Sequence, residues 1–142
     1  MSLFGAIAVS ASGMAAERTR AELLVENLAN AETTRTPEGG PYRRKDAVFA
    51  SEPMATSFSA LFESHLQEGV AVQEISVDTS DPEQRYLPGH PDAGPDGYVA
   101  FPRMNPAEDM VDLAGASRNF QANVAAISSV KDMIMRSIDL FK

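Results

Sequence analysis

The sequence predicts a mainly α protein, with long N- and C-terminal helices packed as an antiparallel coiled-coil-like pair and a small irregular, β-containing middle region. Both ends carry apolar residues at alternating helical spacing, and the middle is dense in Pro and Gly. Charge follows the same division, because the middle has a net charge of −6 and each end has −1. We therefore divide the chain into an N-terminal helix at 1–31, a middle region at 32–105 and a C-terminal helix at 106–142.

The first helix is predicted from Leu3 to about Ala31. Seven of its eight heptad positions between residues 4 and 28 are apolar, Arg18 being the exception. Gly, Ala and Ser fill most of its first half, and Gly5 and Gly13 each cost about 1 kcal/mol relative to Ala. Such a helix is weak by itself and needs neighbours that pack closely against it.

The second helix has a well-marked start. Asn105 suits the N-cap, Pro106 suits the first helical position, and Glu108 can complete a capping box. Eight of its ten heptad positions between residues 110 and 141 are large and apolar, with Ser117 and Lys131 as the exceptions. At ~1.5 Å per residue the helix is about 54 Å long, so it requires a partner helix.

The middle region is predicted to combine loops with short extended segments. A strand is expected at Ala47–Ala50, and a short amphipathic helix at Ser57–Leu66. The apolar spacing from Val70 to Val77 indicates one or two strands, interrupted near Gln73 and Glu74. From residue 78 to 105 turn formers predict an ordered wrap that contains one brief extended segment at 98–101.

Composition excludes several classes of function. A net charge of −8 argues against nucleic-acid binding, which needs a surplus of Lys and Arg. No run of about 18 apolar residues predicts a membrane span. There is no Cys for disulfides or thiolate metal sites. The N-terminus lacks the basic region of a signal peptide, since its first basic residue is Arg18, and we expect it to be retained.

Candidate chemistry is sparse. The two histidines, His65 and His90, stand twenty-five residues apart and form no metal signature with nearby acids. No phosphate loop, nucleophile elbow or paired-carboxylate motif is present. We therefore expect no catalytic residue, no cofactor and no metal site; the alternative is a small hydrolase that uses either histidine.

Polar residues within the helices allow two interpretations. Arg18 and Lys131 either extend to water from a partly buried seam or meet acids on neighbouring chains. Asn30 could cap the first helix, whereas Gln121 and Asn123 favour hydrogen bonds between helices. The basic cluster Arg43, Arg44 and Lys45 either is solvated or meets carboxylates of an adjacent subunit.

Four motifs resemble those of flagellar rod and hook proteins. Asn27-Leu-Ala-Asn30, followed by a Pro/Gly loop, is similar to their N-terminal motif, and residues 116–123, Ala-Ser-Arg-Asn-Phe-Gln-Ala-Asn, to their C-terminal motif. The internal stretches at 41–49 and 88–99 extend the resemblance over nearly the whole chain. Two segments depart from the pattern, residues 51–67 and the approach to the second helix at Pro106.

The resemblance implies a non-enzymatic structural subunit of the proximal rod in the flagellar basal body, exported by the flagellar type III apparatus without a cleaved signal peptide. It implies a tubular, helically ordered assembly in the periplasm, whose partners are other rod subunits and neighbouring basal-body proteins. A coiled-coil adaptor or export chaperone is the alternative, although it would not need the Pro/Gly-rich wrap. The predicted subunit-interface residues are Phe4, Ile7, Met14, Val25, Asn27, Leu28, Asn30, Arg43, Arg44, Lys45, Met110, Leu113, Arg118, Phe120, Gln121, Asn123, Val124, Ile127, Ile134 and Ile138.

Overall fold

The computed structural model describes residues 3–53 and 68–140. Within these residues the elements in chain order are α1 (Leu3–Ala29), β1 (Lys45–Pro53), β2 (Glu68–Val77), β3 (Glu83–Tyr86), β4 (Tyr98–Phe101) and α2 (Pro106–Asp139). Two long terminal helices and a small β-containing middle confirm the predicted fold class. The helix expected at Ser57–Leu66 lies outside the described residues.

The two helices run antiparallel and meet along a seam of small and polar residues. Near its middle, Asn119 Nδ2 donates to Glu17 Oε1 at 3.0 Å, and a Cβ placed on Gly13 would lie 3.3 Å from the Asn123 amide. Ala16 of α1 and Ala116 of α2 are fully buried. Small side chains at these positions let the two backbones approach closely, because little volume separates them.

The seam of α2 is displaced by one residue from many of its predicted heptad positions. Asp109, Ala116 and Val130 are buried at intervals of seven and fourteen residues. Each of the following residues, Met110, Ser117 and Lys131, is exposed. The side chains of α2 that α1 buries most completely are therefore not the large apolar ones at the predicted heptad positions.

The first sheet is an antiparallel hairpin of β1 and β2 that packs against α1. Val48 pairs with Glu74 and Phe49 pairs with Val72, so Gln73 is the extra residue of a β-bulge. The interruption predicted near Gln73 and Glu74 is therefore confirmed, within one continuous strand. On the face toward the helices, Phe49 and Val70 border a cleft of about 320 Å³ between the hairpin and both helices.

A fully buried amide attaches α1 to the start of this hairpin. Asn27 Nδ2 donates to the Lys45 carbonyl at 2.8 Å, and Asn27 Oδ1 accepts from the Lys45 backbone N–H at 3.0 Å and from the Tyr42 hydroxyl at 2.9 Å. The intervening loop turns through Gly39 and Gly40, whose φ angles of 94° and 77° favour glycine. The end of α1 thus determines where β1 begins.

The second sheet is a short antiparallel pair of β3 and β4, which lies before α2. The extended segment predicted at 98–101 is β4. Strand β3 was not predicted, because its sequence Glu-Gln-Arg-Tyr is polar and all four residues are exposed. At the start of α2, Asn105 Oδ1 accepts from the Ala107 N–H at 3.1 Å, as predicted for an N-cap. Asn105 Nδ2 donates to Glu108 Oε1 at 3.0 Å.

Candidate assembly interface

The helix pair has two broad sides, and on one of them the hairpin packs against α1. Ser12 on α1 accepts a hydrogen bond from the Val70 N–H at 3.0 Å, and Asn119 and Ala122 on α2 border the cleft against Phe49. With about 100° between successive helical residues, the heptad residues Val25 and Val124 project from the opposite side of the pair. Among residues 3–53 and 68–140, the hairpin therefore lies on one side of the helix pair, and Arg85 of β3 approaches the other side near Leu28 and Met110.

The uncovered side, which we call the open face, is apolar across both helices. Its exposed residues keep substantial fractions of their surface accessible: Val25 52%, Met110 61%, Phe120 39%, Val124 47% and Ile138 51%. Half-buried apolar residues lie beside them along the same side, namely Ile7, Met14, Leu28 and Leu113. A mainly apolar surface of this kind on a chain of net charge −8 is typical of an interaction site.

The remaining apolar residues predicted at the interface lie nearer the seam or at a helix end. Ile127 and Ile134 are half-buried on the seam side of α2. Phe4, in the first turn of α1, is 76% exposed and projects away from α2. Thus the predicted apolar set divides into an exposed group on the open face, a group shared with the seam, and one residue at the helix end.

The basic cluster has partners within the chain. Arg44 Nη2 and Nε donate to Asp109 Oδ1 at 2.8 and 3.1 Å, and Arg44 Nη1 donates to Asp46 at 2.7 Å. Lys45 Nζ lies 2.6 Å from Glu26, while Arg43 is exposed and donates to the Asp78 carbonyl at 3.0 Å. The ion pairs of Arg44 and Lys45 thus connect the middle region to both helices.

Asp109 is a structural residue whose role the sequence did not reveal. A negative charge is favourable in the first turn of any helix, but the Asp109 side chain is 1% exposed and paired with Arg44. Its second oxygen, Oδ2, is buried with no hydrogen-bond partner among the described residues. The pairing of Arg44 with Asp109 could not be predicted from neighbouring residues. It depends on the start of β1 lying against the start of α2, which is a long-range contact.

The amides and the remaining arginine of the predicted interface behave differently from one another. Asn30 follows the last residue of α1 and donates to the Glu26 carbonyl at 2.9 Å, as expected of the capping alternative. Asn123 Nδ2 donates to the Asn119 carbonyl of its own helix at 3.1 Å, so the hydrogen bond between the helices comes from Asn119. Arg118 and Gln121 are exposed on α2.

The described residues contain little that could support chemistry. His90 lies in a turn, where its Nδ1 accepts from the Asp92 N–H at 3.1 Å, and His65 lies outside the described residues. Within residues 3–53 and 68–140, no group of three or more His, Asp or Glu side chains is placed to hold a metal ion. No helix of this described part is long and apolar enough to cross a bilayer. What the arrangement offers is a surface for association.

Comparison with known proteins points in the same direction. Residues 96–140 match the model of the family "Flagellar basal body rod FlgEFG protein C-terminal". Three relatives are each described as flagellar basal-body rod protein FlgC. That of Bacillus subtilis is 38% identical, with 100% of both chains covered. Those of Borreliella burgdorferi and Salmonella typhimurium are 36% and 33% identical, covering 100% and 99% of this chain and 99% and 98% of their own.

Proposed function

Because this chain belongs to the family of flagellar basal-body rod proteins FlgC, we propose that it builds the rod by burying its open face against neighbouring subunits. The chain is a structural subunit of the flagellar rod and belongs to the flagellar basal body. The relatives give no support to the adaptor or chaperone alternative. The finer position that we propose is the proximal rod.

The observation that carries this proposal is the uncovered apolar side of the helix pair. Full burial of one large aliphatic or aromatic side chain contributes about 1.5–3 kcal/mol, and these residues are already about half covered, so each can add about 1 kcal/mol on association. Five such residues per subunit, repeated along an ordered assembly, amount to a substantial driving force. Exposed Gln121 can add a polar contact at its edge and Arg43 and Arg118 can contact neighbours elsewhere, whereas Asn27 and Arg44 are engaged within the chain.

We propose no catalytic step, because the family consists of structural rod proteins and assembly accounts for the surface that the chain presents. His90 has a local role, since its Nδ1 accepts a backbone hydrogen bond in its own turn. The acidic middle region suits a solvated position, where ions screen its charge over about 8 Å at physiological salt.

We also propose that the chain crosses to the periplasm through the flagellar type III apparatus and keeps its N-terminus. This extension rests on its membership of the rod family. In cells that lack a working flagellar export apparatus, the full-length chain should accumulate in the cytoplasm. Its mass should equal that of the chain recovered from basal bodies, and a shortened N-terminus in the basal-body form would contradict the proposal.

The direct test replaces Val124 by Asp. Val124 is 47% exposed and projects from the open face, so a charge there leaves the isolated chain folded and prevents burial against a neighbour. The matched control is Ala125→Asp, one residue further along α2, where the side chain is exposed and projects away from both α1 and the open face.

We expect Val124→Asp to abolish rods and motility, whereas Ala125→Asp retains both. Circular dichroism and thermal unfolding of the two purified variants should match the unaltered chain. Ile127→Asp should behave differently, because Ile127 is half-buried beside the seam and its replacement destabilises the chain as well. Normal rods built by Val124→Asp would refute the open face as the assembly surface.

A further inference from the structure

The hairpin of β1 and β2 has a second face that no part of the described chain covers. Phe49 and Val70 face the helices, and because side chains alternate along a strand, Val48, Ala50 and Ala71 lie on the opposite side. Val48 is 40% exposed. We call this side the outer face of the hairpin.

The outer face has a small apolar centre and an acidic edge. Ala50 pairs with Ala71 across the strands, and Val48 pairs with Glu74, while Glu52 follows two residues after Ala50 on the same side. Glu52 and Glu74 are both exposed. Small side chains at the centre allow a helix to approach closely, and carboxylates at the edge favour a partner that carries basic residues.

The open face of the helix pair has the complementary character. It is apolar, and a basic residue lies on the same side of each helix: Lys131 is seven residues after Val124, and Arg18 is seven residues before Val25. Lys131 is exposed, and the Arg18 side chain is 75% exposed in a surface pair with Glu22, which contributes little by itself. Both side chains can therefore turn toward new carboxylates.

We propose that the hairpin's outer face in one copy of this chain covers the open face of the helix pair in the next copy. This inference deepens the proposed function and rests on it. Each chain then has its own hairpin packed against α1 on one side of the helix pair and its neighbour's hairpin on the other side. Such a layered arrangement covers α1 from both sides, as in other folds that pack β structure on helices.

The symmetry of the contact supports a hairpin as the occupant of the open face. If two open faces paired with each other, the interface would be self-complementary and would close as a dimer, leaving both outer faces bare. A contact between two different surfaces leaves an open face free at one end of the assembly and an outer face free at the other, so further copies can be added. At ~3.3 Å per residue, the nine residues of β1 span about 30 Å, enough to reach along most of α1.

Engineered cysteines test this contact directly, because the chain contains no Cys of its own. Val48→Cys places a thiol on the outer face and Val124→Cys places one on the open face. These positions lie on opposite sides of one chain, so a disulfide between them must join two copies. After oxidation of assembled rods, the double variant should give a ladder of dimers, trimers and longer species, and each single variant should give none.

Two results would overturn the inference. Dimers from Val124→Cys alone would show that open faces pair with each other. Absence of the ladder in the double variant, in cells that still swim and with both thiols reactive in the purified chain, would show that the hairpin covers something else. The second result would leave the proposed function intact. The proposed function is refuted by a different outcome, namely normal rods built by Val124→Asp.

Charge exchange provides a second measurement that does not depend on cross-linking. Lys131→Glu and Glu74→Lys should each lower the yield of rods several-fold, because like charges then meet across the contact. The double variant restores opposite charges and should recover most of that yield. Additive losses in the double variant would contradict the pairing of these two surfaces, and unfolding of each purified variant monitors its fold.

Discussion

Replacing Asn27 by Ala should destabilise the isolated chain, because this amide joins α1 to the start of the hairpin. Asn27 is completely buried. Its side chain makes hydrogen bonds at 2.8 and 3.0 Å with the backbone of Lys45 and at 2.9 Å with the Tyr42 hydroxyl. Removing it deprives one carbonyl, one N–H and one hydroxyl of their partner.

The size of the effect follows from these three groups. A buried polar group left without a partner costs about 1–3 kcal/mol. Tyr42 is buried and Lys45 is half-buried, so water can relieve part of the cost, and we expect a loss of about 3 kcal/mol. A domain is stabilised by only about 5–15 kcal/mol in total, so this loss is large.

Two measurements on the purified chain check this expectation. Denaturant unfolding gives the change in the free energy of unfolding, and hydrogen exchange of the Lys45 amide reports the lost hydrogen bond itself. A loss of about 3 kcal/mol corresponds to about a hundredfold faster exchange, since 1.4 kcal/mol is tenfold. The control is Asn30→Ala, whose side chain caps α1 at a partly exposed position and should cost about 1 kcal/mol.

The reasoning is refuted if Asn27→Ala unfolds within 1 kcal/mol of the Asn30 control and keeps the Lys45 amide protected. A variant that is as stable as the unaltered chain but fails to build rods would support the interface role that the sequence predicted for Asn27. The two roles therefore separate in a single experiment.

Three further predictions concern residues of the middle region and the α2 residue that pairs with it. Asp109→Ala should lower the free energy of unfolding by about 2–4 kcal/mol, because it removes the buried partner of Arg44, and thermal unfolding measures the loss. Burial, with a further contribution from Glu26, raises the pKa of Tyr42 to about 12 from its ordinary value near 10. The folded chain thus holds this proton more tightly than the unfolded chain, so the stabilisation is complete below pH 10 and is lost as the pH rises toward 12. Alkaline unfolding of Tyr42→Phe should lack this contribution, and an identical pH dependence would contradict it. His90→Gln should leave motility unchanged, and paralysis with the chain still assembled would revive a chemical role.

Features specified by neighbouring residues were predictable from the sequence. Asn105 and Pro106 start α2 through hydrogen bonds and dihedral angles within one turn. The interrupted alternation around Gln73 marked the β-bulge, since a strand with one extra residue shifts its apolar pattern. The exposed β3 had no such pattern, because its backbone pairing with β4 holds it in place without a buried side chain.

Within the candidate site, the sequence identified the large apolar residues but not which surface each one covers. Phe120 and Val124 were predicted as heptad residues of an interface, and they remain on the open face of the chain. The polar residues were harder, because Asn27 and Arg44 find their partners 18 and 65 residues away. Such pairings depend on how distant segments meet.

By itself, the sequence determined two long amphipathic helices, the strands with apolar alternation and the membership of the rod family. Local propensity and periodicity are enough for the helices and strands, because each depends on residues within a few turns of one another, whereas the family was indicated by motifs that resemble those of rod proteins. Only the tertiary structure decided that small residues form the middle of the seam between the helices, while larger heptad residues such as Phe120 and Val124 remain exposed. Apolar periodicity shows that a surface will be buried, but the close approach of two backbones at Gly13, Ala16 and Ala116 determines which residues the chain covers itself and which it leaves for a neighbour.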